Sequence, residues 1–480
     1  MTKQECAIKY ITENYLEYNR LRHDVIADKL QIRVADSLED ASLQDAPKGL
    51  QFRGKEMWRE MTKHDINSIV CHAAQEYDAN ITSREVMTAL QSDLIPNVHP
   101  LREYVLSCRE WTEEQLDWID FVASQVRVKA SPESNDRPKE LLEVRPSEGL
   151  LDRGFVADRA KSLTGEADPT ASVTSDLTVQ RSNSEPCERS KADALWRACF
   201  KKWFVAMVAS WMKDEVVNHQ VLVLIGKQGI FKTTWLEHLI PPHLRAYACK
   251  LANSNDLNKD ERLRIAEFGL ISLDEIDSMN NRELNQLKSV ITASDVNERA
   301  AYAYTKERRV RLASFCASGN RRDFLTDITG NRRWLPFEVE SIQNPFYTIL
   351  PYERMYAQAW ALAQDPLFSY WFDLDEIEVL EEHNQYFRDE SNEEQLLDVY
   401  FAVPAEGASN TKFLTTAEIS ERLIYYGNIK RPLSLSRLGV LLSQKGFLSI
   451  RKGSPQRRGW VVYERDNEEI NAERRILSKT

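Results

Sequence analysis

Apolar and polar positions alternate along this chain in distinct ways. A short, unbroken apolar run occurs at Val221–Ile225, mostly apolar runs occur at 268–273 and 312–318, and a further strand is read at 335–339. Runs of that length predict strands buried on both faces. Helical spacing dominates elsewhere. Ala7, Ile8, Ile11, Tyr15 and Leu16 share one face, residues 65–90 and 111–128 continue the helical pattern, and residues 195–212 form a strongly apolar helix. Residues 345–400 read as acidic helices. Near the C-terminus, Thr415 with Glu418 gives a capping box before an apolar stripe. A second helix follows from residue 435, and then two strands at 447–452 and 459–463 flank the basic turn GSPQRR. Two helices followed by a hairpin with a charged turn predict a winged helix. Between about 129 and 190, Pro, Ser, Glu, Asp and Thr replace the apolar positions, which predicts a disordered linker. No internal repeat is visible.

Composition narrows the classes. The chain has 480 residues, 42% hydrophobic, with a net charge of −11. An acidic balance argues against coating nucleic acid with the whole surface, so basic contacts must be local. No apolar run has the roughly 20 residues of a membrane helix, and the N-terminus lacks the apolar core of a signal peptide. The seven cysteines form no C-x₂-C pair, so neither a zinc knuckle nor a disulfide framework is indicated, and a reduced, cytoplasmic protein is expected.

The strand 221–225 runs into Gly226-Lys-Gln-Gly229-Ile-Phe-Lys232-Thr233-Thr234 and then a helical pattern. Strand, glycine-containing loop and helix, in that order, make a phosphate-binding loop. Gly226 and Gly229 permit close approach, backbone N–H groups and Thr234 lie at the helix start, Lys232 reaches the outer phosphates, and Thr233 holds Mg²⁺. Phe231 stands where the motif has its second glycine, a position a β-carbon tolerates only at negative φ. The strand 268–273 ends in Asp274-Glu275, a metal ligand and a residue to polarise the attacking water. The alternative there is a solvated acidic turn. The strand 312–318 ends in Gly319-Asn320, whose amide can sense the γ-phosphate. Arg332 and Arg333 follow a tight turn and can offer a guanidinium across a subunit interface, or form a salt-bridged basic turn.

The segments GKQGIFKTTWLEHL, LISLDEID, LKSVITASDVNERAAYAYTKERRVRLASFCASGN and FLTDITGNRRWLPFEV resemble the virulence-associated protein E family, which belongs with the superfamily 3 and poxvirus-type helicases of the AAA+ class. The resemblance covers about 195–340 specifically, and NRLRHDVIADK and IPNVHPLREYVLS more loosely. It implies an ATP-driven hexameric ring on DNA, of the kind carried by phages and mobile elements beside a primase. By position it assigns Lys232 and Thr233 to the phosphate loop, Asp274 and Glu275 to the metal-and-base strand, Asn320 to the sensor, and Arg333 with Arg332 to the arginine finger. The N-terminal region has no D-x-D strand pattern and no zinc cysteines, so a separately encoded primase is expected.

The alternating stretch around Tyr302 and Tyr304, followed by Lys306, Arg308 and Arg309, predicts a hairpin that grips DNA phosphates, or a solvated basic one. In the winged helix, Arg437 could face a groove, while Lys452, Arg457 and Arg458 hold phosphate. Protein docking is the other use of such a module. The expected architecture is an α/β P-loop AAA+ core with a mostly helical N-terminal region and a C-terminal winged helix. The divisions are a collar-like region 1–128, linker 129–190, core 191–345, helical extension 346–405, winged helix 410–466 and charged tail 467–480. The expected function is an ATP- and Mg²⁺-dependent DNA helicase binding single- and double-stranded DNA. Its rivals are a DNA-binding regulator that uses ATP for assembly and an ATPase that loads another helicase.

Overall fold

The computed structural model describes residues 1–34, 57–112, 115–129, 188–251, 263–298, 307–325, 330–389, 392–405, 411–427, 434–452 and 456–477. They divide into two compact units, residues 1–321 with 332–383, and residues 322–331 with 384–480. Nearly all of the expected linker, residues 130–187, lies outside the described residues.

In the first unit, β1 (Leu21–Asp24), β2 (Lys29–Val34), β3 (Met57–Glu60) and β4 (Asn97–Val98) form one sheet in the order β3-β2-β1-β4. Helices do predominate among the described residues of 1–128, but the helical reading did not include this sheet. The reversal between β1 and β2 is made by Asp24, whose Oδ1 accepts the N–H groups of Ile26 (2.9 Å) and Ala27 (3.2 Å), a side-chain turn that Asp favours. Its Oδ2 accepts the Tyr247 hydroxyl at 2.6 Å, which ties this sheet to the region around the next one. Helices Lys3–Ile11, Lys63–Glu76 and Ser83–Leu90 do form, each behind a Thr capping box. Residues 111–128 do not make one helix. Helix Trp118–Ala123 is short, and β5 (Val126–Val128) pairs antiparallel with β12 of the central sheet.

The central sheet continues with β6 (Val221–Ile225), β7 (Ala248–Leu251) and β8 (Leu270–Leu273). After them, β9 (Asp295–Glu298) and β10 (Glu307–Val310) make a separate antiparallel pair. The chain returns to the sheet through β11 (Ser314–Gly319) and β12 (Trp334–Ile342). The order is β5-β12-β6-β11-β8-β7. All neighbours except β5 are parallel, as expected of strands with every residue of β6, β8 and β11 buried. The 25-residue helix Glu188–Met212 backs the sheet and begins inside the stretch read as linker. Its indoles anchor it: Trp203 Nε1 donates to the Phe315 carbonyl (3.1 Å) and Trp211 Nε1 to that of Gly269 (3.0 Å). Helix Tyr352–Gln364 covers it, with Tyr356 edge-on to Phe204 at 5.2 Å.

The second unit holds β13 (Phe401–Ala402), β14 (Thr411–Leu414), β15 (Leu448–Lys452) and β16 (Arg457–Glu464), with β16 paired to the other three. Helices Thr416–Gly427 and Leu435–Gln444 precede the β15–β16 hairpin. Leu414, Ile419, Leu423, Leu438, Leu441, Leu442, Trp460 and Val462 form its own core. Among the described residues, no helix is long and apolar enough to cross a membrane.

Candidate functional site

Because β6, β8 and β11 are parallel, their C-terminal ends converge on one edge of the sheet, where open α/β sheets present ligand sites. The loop after β6 turns there. A β-carbon on Gly226 would stand 2.7 Å from the Val339 carbonyl oxygen, so crowding requires glycine. Gly229 has open space around it but a φ of +85°, so conformation requires it instead. The Lys232 ammonium is buried and donates to the carbonyls of Gly226 (2.7 Å) and Lys227 (2.8 Å) and to Asn320 Oδ1 (3.3 Å). Burial pushes this lysine below its ordinary value, while Asp277 and Asp274 oppose the shift.

Thr233 Oγ1 lies 3.2 Å from Asp274 Oδ1 and 2.9 Å from Ser318 Oγ, and Ser318 Oγ donates to the same Asp274 oxygen at 2.8 Å. β11 lies between β6 and β8, so Ser318 is the bridge between the loop and the acidic strand. Asp274 Oδ2 takes an ion pair from Lys250 at 2.8 Å. Burial raises the Asp274 carboxyl, but bonds from Lys250, Ser318 and Thr233 outweigh it and hold it below the ordinary value. A hydroxyl and a carboxylate side by side suit Mg²⁺, which keeps several of its waters and uses few protein ligands. Glu275 follows on the exposed edge with a left-handed φ of 52°. Thr234 is half-buried on the helix, and its carbonyl faces His238 Nδ1 at 2.7 Å.

Phe231 departs from the expectation of negative φ. Its φ is 68° and ψ 19°, left-handed, the conformation the motif's glycine would take. The loop has therefore kept its path at the cost of local strain.

Sequence reasoning missed Ser318, Lys250, Asp277 and Arg321. Asp277 accepts the N–H groups of Asn320 and Arg321, each at 3.1 Å, and Arg321 Nη2 returns to the Asp277 carbonyl at 2.7 Å. This clamp fixes the position of Asn320. Its one sequence signal was the third carboxylate in ISLDEIDS, Asp277.

Arg332 and Arg333 do not join this cluster. Trp334 pairs with Val221, and Glu338 with Ile225, so the two arginines sit at the opposite edge, about 15 Å away at roughly 3.3 Å per residue. Arg332 is exposed and Arg333 partly buried. Burial, and then the charge of Arg332, lower Arg333 from its ordinary value. The Gln220 amide lies against the carbonyls of Arg332 and Arg333, and donates to them (2.8 and 3.1 Å) once its oxygen and nitrogen are exchanged.

Of the basic hairpin, Lys306 lies outside the described residues, and Arg308 is placed by its backbone in β10, opposite Asn297. Arg309 faces Glu267 and Asp28, each at 3.6 Å, so it does not present a free cation. Arg311, beside them, is buried and donates to backbone carbonyls, among them those of Ala313 (3.0 Å) and Asn218 (2.9 Å). In the second unit Arg437 opens helix Leu435–Gln444, its N–H bonded to Ser434 Oγ at 3.3 Å. Lys452 and Arg457 are directly opposite each other, as are Arg451 and Arg458, and all four are exposed. Arg451 is a further member that the reading of the turn passed over.

A domain family described as virulence-associated protein E-like matches residues 184–393. Over those residues the chain is similar to that family. The matched residues include the loop 226–234, the acidic strand end Asp274-Glu275, Asn320 and the arginine pair. No curated protein matches the chain. Among solved structures, the apo structure of the NrS-1 C-terminal region (305–718) has 9% identity, covering 96% of this chain and 100% of that one, with a TM-score of 0.37. Its A form has 9% identity, 96% and 99% coverage and a TM-score of 0.37. A further A-form structure has 10% identity, 94% and 98% coverage and a TM-score of 0.36. TM-scores this low do not establish a shared fold.

Proposed function

We propose that this protein hydrolyses ATP to move DNA in the replication system of a phage or mobile element, acting as a ring of identical subunits of AAA+ type. The observation that carries the reading is the convergence of Lys232, Thr233, Asp274, Ser318 and Asn320 at one sheet edge. In this reading Lys232 leaves its carbonyl partners for the β- and γ-phosphates, and Asn320 meets the γ-phosphate. Magnesium held by Thr233 and Asp274 would neutralise phosphate charge. Glu275 would orient the attacking water. The distance of Arg332 and Arg333 from their own loop supports a role at a neighbouring subunit's nucleotide, where an arginine finger is worth about 10³–10⁵ in rate. The paired basic residues of the β15–β16 hairpin support duplex binding by a winged helix, with priming left to a separate protein.

The rival is a regulator whose ATPase serves only assembly, and Phe231, in place of the motif's glycine, is the residue that favours it. Its left-handed φ, the one a glycine would take there, instead supports a working loop. Steady-state ATPase assays with and without single-stranded DNA test the proposal. DNA-stimulated turnover, lost in Lys232→Ala and in Glu275→Gln with ATP binding kept in the latter, is the expected result. Tight ATP binding without turnover under any condition would overturn the motor.

A further inference from the structure

β12 runs parallel to β6 and ends at Ile342, so the turn that follows it emerges beside the phosphate loop. That turn carries Phe346, Tyr347 and Ile349, which are 68%, 87% and 70% exposed. They are held out on a built support. Asn344 Oδ1 accepts the Phe346 N–H at 3.0 Å, and the Asn344 carbonyl accepts those of Tyr347 (3.1 Å) and Thr348 (3.2 Å). The turn's start is fixed by Gln343 N–H on the Gln125 carbonyl at 2.9 Å.

Phe346 does not project into empty space. Its ring centroid is 6.3 Å from that of Phe231 at 81°, and 5.6 Å from that of His238 at 86°. Phe231 and His238 are seven residues apart, about two helical turns, and so lie along one face of the helix that starts at Lys232. Two near-perpendicular contacts fix the ring and leave most of it uncovered. Phe346, Tyr347 and Ile349 leave an exposed apolar patch along the helix that starts at Lys232, and such a patch, more than a single exposed ring, marks a place where something binds.

We propose that Phe346, braced by Phe231 and His238, is the stacking platform for the base of the nucleotide whose phosphates Lys232 and Thr233 receive. The inference rests on the nucleotide reading above. It gives Phe231 a second use: the side chain that strains the loop also positions the platform. A π-face holds any base. The site therefore takes nucleoside triphosphates as a class, with little preference between adenine and guanine.

The test is calorimetric binding of Mg²⁺-ATP, Mg²⁺-GTP and inorganic tripolyphosphate to the full chain and to Phe346→Ala, Phe346→Tyr and Phe346→Trp. Phe346→Ala is expected to weaken ATP and GTP alike by about 5- to 150-fold, the usual worth of one stacked base. Tripolyphosphate, which has no base, keeps its affinity. Phe346→Tyr keeps nucleotide affinity, and the indole introduced by Phe346→Trp is quenched by ATP but not by tripolyphosphate, against the wild-type background. Unchanged ATP affinity in Phe346→Ala overturns the platform while leaving the phosphate site standing. Equal losses for ATP and tripolyphosphate also overturn it, because the ring would then only support the loop. If the wild-type chain binds neither ligand, the nucleotide reading itself falls.

Discussion

Phe231 allows the loop geometry to be tested without any assumption about function. At φ 68° and ψ 19° a residue with a β-carbon bears roughly 1–2 kcal/mol of left-handed strain that glycine does not. Glycine costs about 0.5–1 kcal/mol more than alanine in unfolded-chain entropy. Phe231→Gly should therefore be more stable than Phe231→Ala by about 0.5–1 kcal/mol, whereas within a helix glycine is the worse of the two by about 1 kcal/mol. Both variants remove the edge-on packing against Phe346, worth about 0.5–1.5 kcal/mol. The wild type and Phe231→Gly should then lie close together, because relief of the strain offsets the missing ring and the added freedom of the unfolded chain. Gly229→Ala is the control: its φ is +85° with nothing near an added β-carbon, so strain less the entropy that alanine saves in the unfolded chain should cost it about 0.5–1 kcal/mol. Urea unfolding followed by tryptophan fluorescence reports on the first unit, where Trp196, Trp203, Trp211, Trp235 and Trp334 are buried. A Phe231→Ala protein as stable as Phe231→Gly, or more so, would refute the left-handed conformation as a source of strain.

His99 caps helix Pro100–Ser107 by accepting the Arg102 N–H. Burial, followed by the charge of Arg102, lowers it from 6.5 to about 4. Its folded value lies below its unfolded one, so stability is unaffected above pH 6.5 and falls as pH drops from 6.5 towards 4, by up to about 3 kcal/mol. His99→Asn keeps the cap and should shrink the difference between urea midpoints at pH 7.5 and 4.5, and an equal difference in both proteins would refute this. Lys250 competes with a metal for Asp274, and both side chains are partly exposed, 46% and 30%. Lys250→Met should therefore lower the Mg²⁺ concentration that half-saturates nucleotide binding by no more than about fivefold, the worth of an exposed pair. A higher Mg²⁺ requirement would contradict that. Replacing Lys452, Arg457 and Arg458 by Ala should flatten the log–log salt dependence of duplex binding by about 0.9 for each phosphate no longer neutralised, and an unchanged slope would mean the hairpin docks protein instead.

The strand–loop–helix at 221–238, the strand leading to Asp274, the strand leading to Asn320 and the helix–helix–hairpin order near the C-terminus were legible because each is a local pattern. An all-apolar run of five residues ending in glycine, or a Thr with Glu three residues later, has few other ways to fold. What the sequence could not supply was pairing between distant segments. The β1–β4 sheet is built from short, charged strands such as Leu21–Asp24 (LRHD), whose stability comes from neighbours and from Asp24 turning the chain, not from their own pattern. Likewise residues 126–128 looked like the end of a helix until β12 offered them an edge. The site divides the same way. Lys232, Thr233 and Asp274 follow from spacing, but Ser318 and Lys250 matter only because β11 and β7 flank β8 in the sheet. The removal of Arg332 and Arg333 to the far edge follows from the parallel direction of β12. The sign of φ at Phe231 is a tertiary result too: crowding at Gly226 by the Val339 carbonyl constrains the loop's path, and the residue before Lys232 adopts the left-handed conformation whatever its side chain.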